Sequence, residues 1–177
     1  KGFLQTDGYG VYDKYDKQDG LTLIHCMAHA RRYFEKALDN DKARSEYVLQ
    51  KIQLLYVVER RACEQNYSLT QRLQERQNHS LPVLPELHQW LKDNIAQVTP
   101  QSNIGKAIAY ALTRWDKLCI YAHNGQLEID NNPVENAIRP VALGRKNYLF
   151  AGSHQAAQRA AIIYSLIATG KANNVEP

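Results

Sequence analysis

Asp130-Asn-Asn-Pro-Val-Glu135-Asn-Ala-Ile-Arg139-Pro-Val-Ala-Leu-Gly-Arg145-Lys146-Asn147 alternates acid, amide and base, with too few apolar residues for a simple core helix. Asn132 can cap a helix with Pro133 at its first position, which puts Glu135 third, where the carboxylate of a capping box stands. Capping accounts for the spelling Asn-Pro-Val-Glu. It does not account for Asp130, Asn131 and Asn136 crowding the same turn. Nor does it account for the basic tail, since Asn136 to Val175 carries Arg139, Arg145, Lys146, Arg159 and Lys171 and no Asp or Glu. An acid at a helix start with such a tail behind it suits a cation held against a phosphate backbone. On spelling alone, cap and site both stand.

Upstream, Phe3-Leu-Gln-Thr6 closed by Asp7-Gly8 reads as a buried strand delivering Asp7 at its end. Val11, Tyr12 and Tyr15 give one apolar face to a short helix or turn before the Asp19-Gly20 breaker. Leu21 to Cys26 is a second strand running into a helix through Met27 to Phe34. From Asp41 to Val98 strand signals vanish. Val48, Ile52, Leu55, Tyr56, Glu59 and Cys63 keep helical spacing, and Leu84, Leu87, Trp90, Leu91, Ile95 and Val98 repeat it after Pro82. Ser102 can cap one more helix, with Ile104, Ile108, Ala111, Leu112, Trp115, Leu118 and Cys119 as its stripe, ending near His123-Asn124-Gly125. Arg145 to Tyr148 reads as a short irregular loop, and Ser153 starts a small-residue helix that stops near Gly170. The expected class is α/β but predominantly helical, in three segments: 1–40, a helical insertion over about 41–100, and 101–177.

Composition bounds the rest. The 177 residues suffice for one real core, and the formal net charge is only +4. No apolar run approaches the roughly 18 residues of a membrane span. Cys26, Cys63 and Cys119 are odd in number and widely spaced, which fits a reducing cytoplasm rather than a disulfide framework. The chain opens at Lys1 with neither an initiator Met nor a leader, so it reads as the later part of a longer protein.

Asp7 stands where open α/β sheets place their sites, at a strand end beside a glycine; a turn Asp closing the strand is the plain alternative. Cys26-Met-Ala-His29 has the spacing of half a zinc site. His79, His88 and His123 are too scattered to complete it, and a buried Cys beside a locally bonded His is the better reading of the spelling. Arg31, Arg32, Arg139, Arg145 and Lys146 are either a solvated face or phosphate contacts, and Arg139 can also pair with Glu135 one turn away for about 0.2–0.5 kcal/mol.

Leu4-Gln-Thr-Asp7-Gly-Tyr9, His25-Cys-Met-Ala-His29-Ala-Arg31-Arg32-Tyr33-Phe34 and Asp130-Asn-Asn-Pro-Val-Glu135-Asn-Ala-Ile-Arg139-Pro, continuing through Gly144 to Asn147 and Phe150 to Ser153, occur in the order found in one family. Over nearly its whole length the chain resembles the DDE transposases of bacterial insertion sequences, specifically the insertion sequence 66 group. The resemblance implies part of an RNase H-like core interrupted by an all-α insertion, with the second Asp of the acidic triad at Asp7 and the final Glu at Glu135. It implies that Cys26 and His29 form the Cys-x-x-His element found in several such families, and that the triad's first Asp lies on an earlier strand outside this chain. It further implies Mg²⁺, or Mn²⁺, in a two-metal site, with DNA ends and target DNA as partners and self-association in a transpososome. Arg139, Arg145 and Lys146 are phosphate contacts on grounds of charge. An RNase H-fold nuclease or resolvase, and a non-catalytic helical DNA-binding or assembly module, are the competing readings.

Overall fold

The computed structural model describes residues 2–175; the outermost positions of the first and last expected segments, 1, 176 and 177, lie outside the described residues. The chain forms two compact units that divide between Asn131 and Asn132.

The first unit opens with β1 (Gly2–Thr6) and β2 (Leu21–His25), paired in parallel from Gly2 opposite Leu21 to Thr6 opposite His25. Parallel neighbours need a crossover, supplied here by residues 7–20 with a 3-10 helix over Gly10–Lys17. That helix buries no residue, and Val11 and Tyr12 are exposed rather than packed. β2 carries the apolar load, with Leu23 and Ile24 buried, and feeds through Cys26 into α1 (Met27–Lys36).

The helical stretch begins with α2 (Lys42–Glu64), capped by Asp41, whose side chain accepts the Arg44 amide at 3.1 Å. A Ser68/Gln71 capping box starts α3 (Leu69–Glu75), and α4 (Val83–Ile95) comes next. Between them Arg76–Ser80 is a single π turn, in which the Leu81 amide reaches back to the Arg76 carbonyl at 2.9 Å. Pro82 gives a physical reason for the wider turn, because its ring would press on the carbonyl four residues earlier in a regular helix. The Ser102 hydroxyl caps α5 (Asn103–Thr113) by accepting the Gly105 amide at 3.1 Å.

One core joins these elements. Ile24, Met27 and Phe34 pack in the same cluster as Val48, Ile52 and Leu55 of α2, Leu84, Leu87 and Leu91 of α4, and Ile104 and Ile108 of α5. Each side chain so buried contributes roughly 1.5–3 kcal/mol, so residues 41–100 are held by the apolar cluster that also holds α1. The helix expected across 102–123 is three pieces: α5, α6 (Trp115–Cys119) and a 3-10 turn over Ile120–His123. The break falls at Arg114, which leaves the helical region at φ −117°. Its guanidinium turns instead to the Gly8 carbonyl.

The second unit is a helical pair, α7 (Asn132–Tyr148) and α8 (His154–Ala172). The loop expected at Arg145–Tyr148 is the last turn of α7, which passes through Pro140 and Gly144. Proline removes one backbone donor there, whereas Ala, Leu, Arg and Lys around it are strong helix formers, and the basic end complements the helix dipole. Leu149 ends the helix at φ 59°. Ser153 caps α8 through the Ala156 amide at 3.1 Å, and α8 runs to Ala172, two residues past Gly170. Among the described residues no helix is long and apolar enough to cross a membrane.

Gly125 sits where an added Cβ would collide with the backbone carbonyl of Leu69. Gly125→Ala should therefore cost about 1–3 kcal/mol, the usual penalty of overpacking, read as a lower denaturant midpoint at unchanged slope.

Candidate functional site

Asp7 comes directly after β1 and is half-buried. Its Oδ1 accepts the Tyr9 amide at 2.9 Å, so the turn reading of this residue is correct as far as it goes. The turn is also fastened from α5. The Tyr110 hydroxyl donates to the Asp7 carbonyl at 2.7 Å, and Arg114 Nη2 donates to the Gly8 carbonyl at 3.1 Å. Tyr110 lies between the ring of Tyr33, stacked at 4.2 Å, and the guanidinium of Arg114, 4.3 Å from its ring centre. Burial pushes the Tyr110 phenol up to about 12, so it remains a donor. Gly8 adopts φ +82°, and a Cβ there would lie 2.7 Å from Arg114 Nε. Sequence patterning does not single out Tyr110 and Arg114, whose only trace is an aromatic and a cation four residues apart on one helix face.

The segment 127–131 is stitched to the C-terminal ends of the same two strands. Gln5 of β1 donates to the Glu128 carbonyl at 3.0 Å. The Met27 amide, where β2 passes into α1, donates to the Ile129 carbonyl at 3.0 Å. The Asn131 amide donates to Cys26 Sγ at 3.4 Å. Tyr56 of α2 donates its hydroxyl to Asp130 Oδ2 at 2.9 Å.

Behind this segment lies Arg76, which has no exposed surface. Its Nε and Nη2 grip the two carboxylate oxygens of Glu59, each at 2.7 Å. Its remaining donors reach the carbonyls of Tyr121 at 2.8 Å, Asn124 at 2.6 Å and Leu127 at 2.8 Å. All five N–H groups of the guanidinium are thereby used. Arg72 bridges outward, its Nη2 reaching Glu59 at 2.7 Å and its Nη1 reaching Glu128 at 2.8 Å. That bridge holds the Glu128 carboxyl below its usual range.

Cys26 is fully buried, and burial pushes its thiol up, although the amides of Asn131, His29 and Ala28 pull the other way. A zinc ligand is a thiolate, and no group of three or more His, Cys, Asp or Glu among the described residues could hold a metal ion. The observed work of Cys26 is to accept the Asn131 amide. His29 lies in the first turn of α1, half-buried. The neighbouring His25 is 5% exposed, and neither ring nitrogen bonds to a described residue. Burial, helped by Lys117 and Arg114, lowers it to about 4.

In the second unit, Glu135 occupies the first turn of α7, half-buried; the helix begins at Asn132 itself, one residue earlier than a cap at Asn132 with Pro133 first would place it. Arg139, Arg145 and Lys146 are exposed. Arg139 and Lys146 stand four and eleven residues after Glu135, about one and three helical turns, so the acid and two cations share a face. Arg145 is offset to the side.

The family model for the IS66 transposase family matches residues 1–159, and the chain belongs to that family. Three uncharacterized proteins of Sinorhizobium fredii are similar to it, each over 99% of this chain. The protein y4hP is 33% identical over 193 residues, y4jD 35% over 185 and y4qI 31% over 185. The matches cover 35%, 35% and 34% of those relatives, so the chain spans about a third of their length. No solved structure matches the chain.

Glu59→Gln removes the carboxylate charge paired with the buried Arg76 guanidinium. It should cost about 3–5 kcal/mol in chemical denaturation, the penalty for breaking a buried pair from one side. For His25 the folded value of about 4 lies below the unfolded 6.5, so between them only the unfolded chain takes the proton. Stability should be full above pH 6.5 and fall by about 3 kcal/mol as pH drops to 4. A His25→Gln chain should show a flatter pH profile in the same titration.

Proposed function

We propose that this chain is the later part of the catalytic core of a DDE-type transposase, cutting DNA at the ends of an insertion sequence and joining the freed 3′ ends to a target. The observation that carries the reading is the stitching of residues 128–131 to the strand ends from which Asp7 projects. The helix bearing Glu135 begins immediately after that segment in the chain. A parallel strand pair with an acid at its C-terminal end supports an RNase H-like core over 1–40 and 101–177, with 41–100 as its helical insertion.

The donor chemistry fits the cation this family implies. Asp7 and Glu135 are hard carboxylate oxygens, the ligands Mg²⁺ takes, and Mn²⁺ accepts the same set. A two-metal site needs more than two carboxylates, and with the chain spanning about a third of its relatives' length a further Asp elsewhere in the protein is consistent with the reading. When bound, such metals supply charge neutralisation for attacking and leaving oxygens. The chain's own residues position. Tyr110 and Arg114 hold the Asp7 turn through its carbonyls, and Arg139 and Lys146, with Arg145 beside them, bind backbone phosphates along α7. Self-association in a DNA-bound assembly belongs to the same reading.

In the full-length protein with insertion-sequence end DNA, Asp7→Asn and Glu135→Gln should each abolish cleavage and joining while leaving DNA binding in place. Metal-dependent cleavage surviving in either variant would sink the reading, and hydrolysis without joined products would favour a nuclease or resolvase. Arg139→Ala, Arg145→Ala and Lys146→Ala should weaken binding irrespective of sequence. Removing one phosphate-binding cation should lower the slope of log K against log salt by about 0.9.

A further inference from the structure

We infer that the turn joining α7 to α8 is a base-stacking tip: Phe150, backed by Leu149, takes the flat face of a DNA base while Arg145 and Lys146 hold the phosphates beside it. The inference rests on the reading of α7 as a phosphate-binding helix. Three large apolar side chains stand in a row at this turn and none is buried, with Tyr148 47%, Leu149 67% and Phe150 83% exposed. Phe150 is the most exposed large apolar side chain among the described residues. A contiguous patch of that kind marks a binding surface.

The turn is pinned at both ends. On the α7 side the Leu149 amide donates to the Arg145 carbonyl at 3.0 Å and the Phe150 amide to the Tyr148 carbonyl at 2.6 Å. Leu149 holds the left-handed φ of 59° that a helix end usually gives to glycine and that a leucine enters only at a cost. On the α8 side Gly152 is left-handed at φ 78°, and the Ser153 hydroxyl caps the helix. The Tyr148 and Tyr164 hydroxyls are hydrogen-bonded across the pair. The ring is therefore presented without a loop having to order first, which keeps the entropic cost of binding low. Charge decides what the ring meets. Lys146 and Arg145 lie four and five residues before Phe150, both exposed, and no Asp or Glu occurs from Asn136 to Val175. An aromatic tip beside cations suits a polyanion with flat apolar faces, and a nucleic acid offers both in every repeat. Membership of a transposase family makes DNA the nucleic acid. Stacking uses the π-face common to all bases, so an unpaired base at a DNA end and a duplex step opened by a wedge supply the same contact.

The test uses the full-length protein with insertion-sequence end DNA carrying 2-aminopurine, either in a single-stranded overhang or in the paired terminal steps. Stacking of an unpaired base on Phe150 should quench the probe in the overhang, whereas insertion into a paired step should brighten the duplex probe. Phe150→Ala should abolish whichever change occurs and weaken binding to that DNA about ten-fold. Its salt slope should stay unchanged, because no phosphate contact is lost. Phe150→Trp, which keeps a flat ring, should retain both signal and affinity. Removing so exposed a ring takes little packing away, so amide exchange over α8 should be the same in both variants. Arg145→Ala is the contrasting variant, with a lower salt slope and the probe response kept at saturating protein. Should Phe150→Ala match the parent in affinity and probe signal while Arg145→Ala still lowers the slope, stacking is wrong although the phosphate reading survives. Should Phe150→Ala leave DNA binding intact and instead break up self-association, the tip is a protein contact and the proposal falls. Should Arg145→Ala and Lys146→Ala leave binding and slope unchanged, the phosphate reading of α7 fails, and the proposal, which needs those cations beside the ring, fails with it.

Discussion

A guanidinium shut away from water must find an acceptor for every one of its five N–H groups, and the first unit is built around the way Arg76 does so. Two donors go to Glu59 on α2 and three to main-chain carbonyls of the turn between Tyr121 and Leu127. Removing two charges from water costs several kcal/mol per ion, and a well-packed apolar pair would often be as stable. What the ionic arrangement adds is direction. Three carbonyls aimed at one planar group leave the turn a single conformation, and that turn delivers Leu127, Ile129 and Asp130 to their places. Arg72 extends the same network to Glu128. The π turn that begins at Arg76 belongs to the arrangement, because it absorbs the change of direction before α4 at the residue whose side chain must point inward.

Much of this is legible in the sequence, and the parts that are not share a cause. Both strands, the Ser102 and Ser153 caps and most of the apolar stripes of α2, α4 and α5 arise from local spacing and local hydrogen bonding and stand where the pattern puts them, but the first strand, expected to be buried, leaves Phe3 44% exposed, and Cys63 of the α2 stripe is exposed while Val58 and Ala62 are buried in its place. Arg76 does not announce itself, since an arginine in a glutamine-rich stretch is ordinarily solvated, and its carbonyl partners lie 45 to 51 residues away. Glu59 keeps the inward-facing spacing of its helix, yet spacing cannot say that the inward residue meets a cation. The break at Arg114 is hidden for the same reason, because its acceptor is the carbonyl of Gly8, 106 residues earlier. In α7 the balance runs the other way: Pro140 and Gly144 read as breakers, and helix formers on both sides outweigh them.

The candidate site divides along the same line. Asp7 and Glu135 are marked by position, and the structure has Asp7 directly after a strand and Glu135 in the first turn of a helix. For Cys26 the local reading has an observed counterpart, because its buried sulfur accepts the Asn131 amide. A Cys-x-x-His spelling does not distinguish a thiolate for a metal from a thiol that receives a backbone N–H, since both need sulfur at a helix start.

The side chains that reach each acid from elsewhere in the first unit differ in what they hold: the carboxylate of Asp130, but the turn carbonyls at Asp7 and Gly8. Asp130 is held by its carboxylate: Tyr56 donates to Oδ2, and an oxygen so engaged in a buried setting is poorly placed to take a cation. Asp7 is held through its backbone and also through Oδ1, which accepts the Tyr9 amide. The two side chains that reach across, Tyr110 from α5 and Arg114 from the residue just after it, donate to the carbonyls of Asp7 and Gly8 rather than to the carboxylate. The cation of Arg114 is spent on a main-chain oxygen and on the face of Tyr110, so it orders the turn without claiming the acid. A residue that must present charge to a metal needs fixed main-chain geometry. Glycine at position 8 makes that possible, because its left-handed φ and missing Cβ admit Arg114 and Tyr110 to the carbonyls at a distance no other residue would allow.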